Sequence, residues 1–269
     1  MSTSPLRAAA VSYLNAVPLY WGLLYGPHRH RFRVTFELPA RCADALQAGD
    51  VDAGIIPSIE YQRIPNLKIV PGLAVASAGP VRSVLLISKR PVQEIRKLAL
   101  TTASRTSVCL LQILMRCRYR IAPELAPQEP NLAAMLQTCD AALLIGDPAL
   151  VSDFPGLEVY DLAEEWRALT GLPFVFAVWA VRSEAARPEL VRLFQESVLY
   201  AMEHLAEIVV QQAARTGLPP EIVRSYLTEH IDFSLGVENL NGLRRFYQLA
   251  HEQGLIEQRK PLEFIGQPG

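Results

Sequence analysis

Over the first two thirds of the chain, short apolar runs alternate with segments whose apolar residues recur every three or four positions. Leu6 to Val11 is an almost unbroken apolar run, as expected for a strand buried on both faces. Pro18 is suited to the first turn of a helix through Tyr20, Leu23 and Leu24. Val34 and Phe36 alternate with polar neighbours as a strand, and Ala43, Leu46 and Gln47 mark a helix ending near Gly49. Asp52 to Ile56 reads as the next strand, broken at Pro57-Ser58, where a short helix with Ile59 and Tyr61 begins. Leu67 to Ala76 and Val84 to Ser88 read as strands separated by a Gly79-Pro80 turn.

A second unit follows the charged link Lys89-Arg90-Pro91. It contains the strand Leu98 to Thr101, a polar turn, and a long helix with Val108, Leu111, Leu114 and Met115 on its buried face. Pro123, Pro127 and Pro130 punctuate the way to a helix at Leu132 to Leu136 and the strand Ala141 to Ile145, which turns at Gly146-Asp147-Pro148. Val159-Tyr160, a helix from Leu162 to Leu169 and the strand Phe174 to Trp179 complete the unit. Pro188 to Ala214, Pro220 to His230 and Glu238 to Gln253 then read as helices, with Gly217 and Gly236 as stops. This order predicts two α/β lobes joined by crossings near Ser88 to Pro91 and Phe176 to Val181. Residues 1–88 and 179–269 would form lobe I and residues 89–178 the inserted lobe II.

Composition narrows the function. With 269 residues, half of them hydrophobic, and a formal net charge of −1, the chain can bury a large core but presents no basic field for nucleic acid. Ser12, Asn15 and Pro18 interrupt the apolar opening before it reaches signal-peptide length. The run Leu172 to Val181 is about half the length needed to cross a bilayer. A soluble cytoplasmic protein that engages neither membrane nor nucleic acid is expected. Cys42, Cys109, Cys117 and Cys139 lack C-x-x-C spacing, and His28 and His30 flank Arg29 beside a Gly26-Pro27 turn, so no metal is implied.

The candidate chemistry gathers at the carboxyl ends of strands, where ligands collect in open α/β sheets. Ser12, Tyr13 and Asn15 follow the first strand; Ser58 and Ser83 flank later ones. Ser104, Arg105, Thr106 and Ser107 stand before the long helix, near its positive end, where a carboxylate could dock. Asp147 follows Gly146 at another rim. Each has a plainer reading: Ser12, Asn15, Ser104, Thr106 and Asp147 are ordinary helix-capping types, and Arg82 and Arg105, possible counter-ions for a doubly charged ligand, could instead be solvated charges.

Ser12-Tyr13-Leu14-Asn15-Ala16-Val17-Pro18-Leu19 resembles the opening of chorismate dehydratases, which serve menaquinone synthesis by the futalosine route. Asp52 to Tyr61, Gly79 to Leu86, Ser104 to Ser107, Ala141 to Asp147 and Gly171 to Ala177 are similar to further segments of that family, in its order. The resemblance implies a two-lobed type II periplasmic-binding-protein-like α/β fold, with a ligand cleft between the lobes and a helical C-terminal segment. It also implies a hydro-lyase acting on chorismate, without a cofactor. Asn15 and Ser83 are then the expected catalytic side chains. Ser12, Tyr13, Ser58, Ser104, Arg105, Thr106, Ser107 and Asp147 are the expected substrate contacts. No histidine lies in these segments, and Asp147 is the best placed of the carboxylates near strand ends; the alternative base is the substrate's own enolpyruvyl carboxylate. The rival readings are a small-anion binding protein without chemistry and the related 1,4-dihydroxy-6-naphthoate synthase.

Overall fold

A computed structural model describes residues 4–266. The first lobe opens with β1 (Leu6–Val11), a helix α1 (Val17–Tyr25), β2 (Phe32–Glu37), α2 (Pro39–Ala48), β3 (Ala53–Pro57), the short α3 (Glu60–Arg63) and the long β4 (Leu67–Ser77). Their apolar runs form elements for the expected reason. Ala8, Ala9 and Ala10 of β1 and every residue of β3 are buried, because helices cover both faces of these central strands. Gly49 takes φ 81° as the left-handed cap of α2.

The chain then enters the second lobe through β5 (Val84–Ser88), β6 (Lys97–Thr101), α4 (Arg105–Ile113, continued by a wider π-type turn to Tyr119), β7 (Glu124–Gln128), α5 (Leu132–Thr138), β8 (Ala141–Ile145), α6 (Asp147–Val151), β9 (Glu158–Asp161) and α7 (Leu162–Thr170). It returns through β10 (Phe174–Arg182) and ends in α8 (Pro188–Glu203), α9 (Leu205–Thr216), α10 (Pro220–Ser225), a π-type turn (Tyr226–His230), β11 (Asp232–Leu235) and α11 (Val237–Glu252).

Two mixed sheets result, ordered β11-β4-β10-β3-β1-β2 and β7-β6-β8-β5-β9. In each, the strand arriving from the other lobe runs against its neighbours: β10 is antiparallel to β3 and β4, and β5 is antiparallel to β8 and β9. Both crossings consequently lie closer to the sheets than the sequence suggests. β5 pairs within the smaller sheet, and β10 pairs with Ser77 from its first residue, Phe174, so the chain passes between sheets at 78–83 and 171–173. An all-apolar strand carries no mark of which sheet it joins, which is why periodicity set these boundaries wide.

Three other elements differ from expectation. β7 lies among the prolines; it is an edge strand, where Pro127 deprives no neighbour of an N–H partner. β11 is a four-residue strand recruited to the edge of the larger sheet. The helix expected over 188–214 breaks at His204, whose Nδ1 lies 2.8 Å from the Tyr200 carbonyl and whose ring stacks on Tyr200. All four cysteines are free; Cys42, Cys109 and Cys139 are buried, and burial pushes the Cys109 thiol up to about 12.

Candidate active site

The carboxyl ends of β1, β3, β6 and β8 converge between the lobes on a small cavity of about 40 Å³. The first lobe contributes Tyr13 and Asn15 after β1, Pro57 at the end of β3, and Phe176 from β10. The second contributes Ser104 and Ser107 at the start of α4, with Ile145 and Gly146 at the end of β8. Apolar side chains form most of the wall, and Tyr13, Asn15, Ser104 and Ser107 supply its polar side chains.

Each polar group is positioned by backbone geometry. A 3-10 turn at Leu14–Ala16 closes on the Tyr13 carbonyl, which accepts from the Ala16 N–H at 3.1 Å, and so presents Tyr13 and Asn15 at the rim. The Tyr13 ring lies flat against Gly146. That glycine adopts φ 69°, ψ −152°, a conformation open to glycine alone, and a Cβ there would stand 2.8 Å from the ring. Burial, reinforced by Asp147, pushes the Tyr13 phenol up to about 12, so it remains a neutral donor at physiological pH.

Ser104 is the N-cap of α4: its Oγ accepts from the Ser107 N–H at 3.4 Å and lies 3.0 Å from Ser107 Oγ. The capping reading and the ligand reading therefore both hold for Ser104, because its side chain also faces the cavity. The positive end of α4 points the same way.

Other expected contacts are turned away from the cavity and join the lobes. Thr106 is fully buried; its Oγ1 accepts from the Ile59 N–H at 3.0 Å and lies 3.4 Å from Ser58 Oγ. Ser58 is equally buried and donates to the Val175 carbonyl at 2.7 Å, while its own carbonyl accepts from the Tyr247 hydroxyl. Arg105 spans to Asp44 at 2.7 Å and to the buried Glu60 at 2.9 Å. Asp147 accepts from the Leu14 N–H at 2.8 Å through one oxygen and pairs with Arg215 at 2.7 Å through the other.

Ser83 is buried beside Val84, with its Oγ accepting from the Tyr226 hydroxyl at 2.6 Å. Ser12 is exposed outside the cavity wall. Arg82 takes φ 61°, and its N–H donates to Asp161 at 2.6 Å. Of the expected set, the structure thus brings Tyr13, Asn15, Ser104 and Ser107 to one cavity. The remaining residues lie around it. Phe176 and Pro57 were missed as single residues, although both lie inside segments the resemblance picks out.

Among the described lining residues, none carries a formal charge at neutral pH, and Tyr13 is the one titratable side chain. The nearest ionic groups are already paired with one another in the lobe contacts. No group of three or more His, Cys, Asp or Glu among the described residues is placed to hold a metal ion.

Two mixed sheets meeting across a cleft lined from both lobes define a two-lobed periplasmic-binding-protein-like fold. The crystal structure of protein AF1704 from Archaeoglobus fulgidus matches it with a TM-score of 0.77 at 17% identity, over 95% of this chain and 100% of that one. The alkanesulfonate-binding protein SsuA from Xanthomonas axonopodis pv. citri, bound to MOPS, matches with a TM-score of 0.68 at 17% identity, over 96% of each chain.

The chain belongs to the menaquinone biosynthesis family, whose model matches residues 6–252. It is 33% identical over 234 residues to a chorismate dehydratase of Thermus thermophilus, covering 80% of this chain and 84% of that one. It is 26% identical over 243 residues to a chorismate dehydratase of Campylobacter jejuni, covering 88% and 93%.

Proposed function

We propose that this chain is a chorismate dehydratase, a hydro-lyase that converts chorismate to 3-[(1-carboxyvinyl)oxy]benzoate and water in menaquinone biosynthesis. Identity to the Thermus thermophilus enzyme supports the reaction, and one observation carries the site: a largely apolar cavity in which Asn15, Tyr13 and the Ser104–Ser107 pair converge from both lobes.

The chemistry suits such walls. Chorismate has two carboxylates, an enolpyruvyl ether at C3 and a hydroxyl at C4. The C3 proton is conjugated through the ring alkene with the ring carboxylate, so its removal gives a dienolate that expels the C4 hydroxyl and becomes aromatic. One proton and one hydroxide leave as water, and no electrons are exchanged. The hydroxyls of Ser104 and Ser107 and the positive end of α4 are suited to one carboxylate. Tyr13 and Asn15 face the substrate from the other lobe as neutral donors, where charge developing in the transition state can be stabilised.

No carboxylate or imidazole lies in the described wall to take the C3 proton, and Asp147 is held by Leu14 and Arg215. The substrate's own enolpyruvyl carboxylate is therefore the base, and the protein supplies orientation. A small, water-soluble substrate accords with the cytoplasmic location expected from the sequence. No helix among the described residues is long and apolar enough to cross a membrane.

Purified protein mixed with chorismate should release the aromatic product, followed by absorbance and mass spectrometry. Binding without conversion would instead make it a small-anion binding protein. An analogue lacking the enolpyruvyl carboxylate should bind and fail to react; normal turnover of that analogue would exclude the substrate as its own base.

A further inference from the structure

The turn that carries Asn15 has no cap of its own. Tyr13 stands where a capping side chain would stand for the 3-10 turn Leu14–Ala16, but its side chain makes no hydrogen bond to the turn and lies against Gly146 instead. The Leu14 N–H is satisfied from the other lobe: Asp147 accepts from it at 2.8 Å through one oxygen. The second oxygen of Asp147 pairs at 2.7 Å with Arg215, in the last turn of α9. Arg215 is fixed in turn, since its Nε donates at 2.6 Å to Oε1 of the buried Gln212. One carboxylate of the second lobe thus sits in a socket that the first lobe builds from two segments far apart in the chain.

The socket bears on the reaction because of what it holds. Tyr13 and Asn15 flank Leu14, and both line the cavity, so a shift of the Leu14 N–H moves both. Gly146 and Asp147 meet this stretch twice, at the Tyr13 ring and at the Leu14 N–H. A cavity of about 40 Å³ lies far below the roughly 300 Å³ or more of small-molecule sites, so the lobes must part to admit chorismate and close again around it. Each closure has to bring the Asp147 carboxylate back to the Leu14 N–H in the right orientation. A partly exposed ion pair adds little to stability. Misplacing a reacting group by about 1 Å, by contrast, costs about a hundredfold in rate.

We propose that Arg215 is a positioning residue for this reaction: by engaging one oxygen of Asp147 it aims the other at the Leu14 N–H, so that the second lobe caps the turn carrying Tyr13 and Asn15 when the lobes are shut. The role rests on the dehydratase reading above. Nothing in the sequence marks it, since Arg215 lies outside every segment of the family resemblance.

The test is steady-state kinetics of Arg215→Met on chorismate, with the same substitution made in an Asp147→Asn background. In the otherwise wild-type protein, kcat should fall by about tenfold while KM changes by less than about threefold, the pattern of an interaction felt in the transition state. The unfolding temperature should fall by less than about 3 °C, so that loss of fold does not account for loss of rate. In the Asp147→Asn background the same change should cost less than about threefold, because the carboxylate that Arg215 orients is gone. If Arg215→Met does not fold, Arg215→Gln is read in the same way. A rise in KM with kcat preserved would reduce Arg215 to attracting the anion or steadying the closed lobes, and would overturn the proposal, as would an equal loss of kcat in both backgrounds. A wild-type protein that leaves chorismate unchanged would overturn the reaction assignment and this role with it. A wild-type protein that converts chorismate beside an equally fast Arg215→Met would overturn the role of Arg215 alone.

Discussion

Two faces of a single helical turn do opposite work at the junction of the lobes. Ser104 and Ser107, three residues apart at the start of α4, look into the cavity. Arg105 and Thr106, between them in sequence, point the other way and fasten the second lobe to Asp44, Glu60 and the Ile59 N–H of the first. The same division recurs at the end of β8, where Gly146 supports the Tyr13 ring while Asp147 clamps Leu14 and Arg215. Neutral groups face the substrate space, and ionic groups are consumed in holding the lobes together. A doubly charged ligand is then met by hydroxyls, an amide and a helix terminus rather than by guanidinium.

The largest effect is expected at the cavity face. Asn15→Ala should lower kcat by about a hundredfold or more, the loss typical of removing one preorganised donor from a reacting centre. Product formation measures it, and turnover near wild type would remove Asn15 from the reaction. Next, the double variant Ser104→Ala, Ser107→Ala should raise KM by about thirtyfold, because two net hydrogen bonds of about 1 kcal/mol each are withdrawn from a carboxylate. Its unfolding midpoint should also fall, since the loss of the α4 cap costs about 1 kcal/mol.

The joining face should respond in the opposite sense. Thr106→Val strands the buried Ile59 N–H, so chemical denaturation should report a loss of about 1–3 kcal/mol while KM for chorismate stays within about twofold. A KM rise as large as that of the serine pair would erase the distinction between the faces. Asp147→Asn keeps an oxygen for Leu14 but loses the partly exposed pair with Arg215; its stability cost should stay below about 1 kcal/mol and shrink with added salt.

The smallest effect is expected far from the cleft. A hydrogen bond from Arg7 holds the Asp52 carboxyl below its ordinary value. The folded value lies below the unfolded one, about 3.9, so this contribution is present above that pH and is lost as the pH falls through the lowered folded value. The gap in melting temperature between wild type and Asp52→Asn should therefore close on acidification while kcat at neutral pH stays the same.

Much of this was legible in the sequence. The apolar runs of β1, β3 and β8 and the amphipathic face of α4 carry their own period, and the rim positions of Tyr13, Asn15, Ser104 and Ser107 follow from where those runs end. Local pattern decides such things because burial of a strand or helix face depends on residues close in the chain. The membership of β5 in the smaller sheet, the recruitment of β11, the inward face of Ser107 against the outward face of Thr106, and the meeting of Ser83 with Tyr226 were decided only by tertiary structure. Each depends on a partner tens to hundreds of residues away. A side chain's direction around a helix acquires meaning only when the opposing surface is in place.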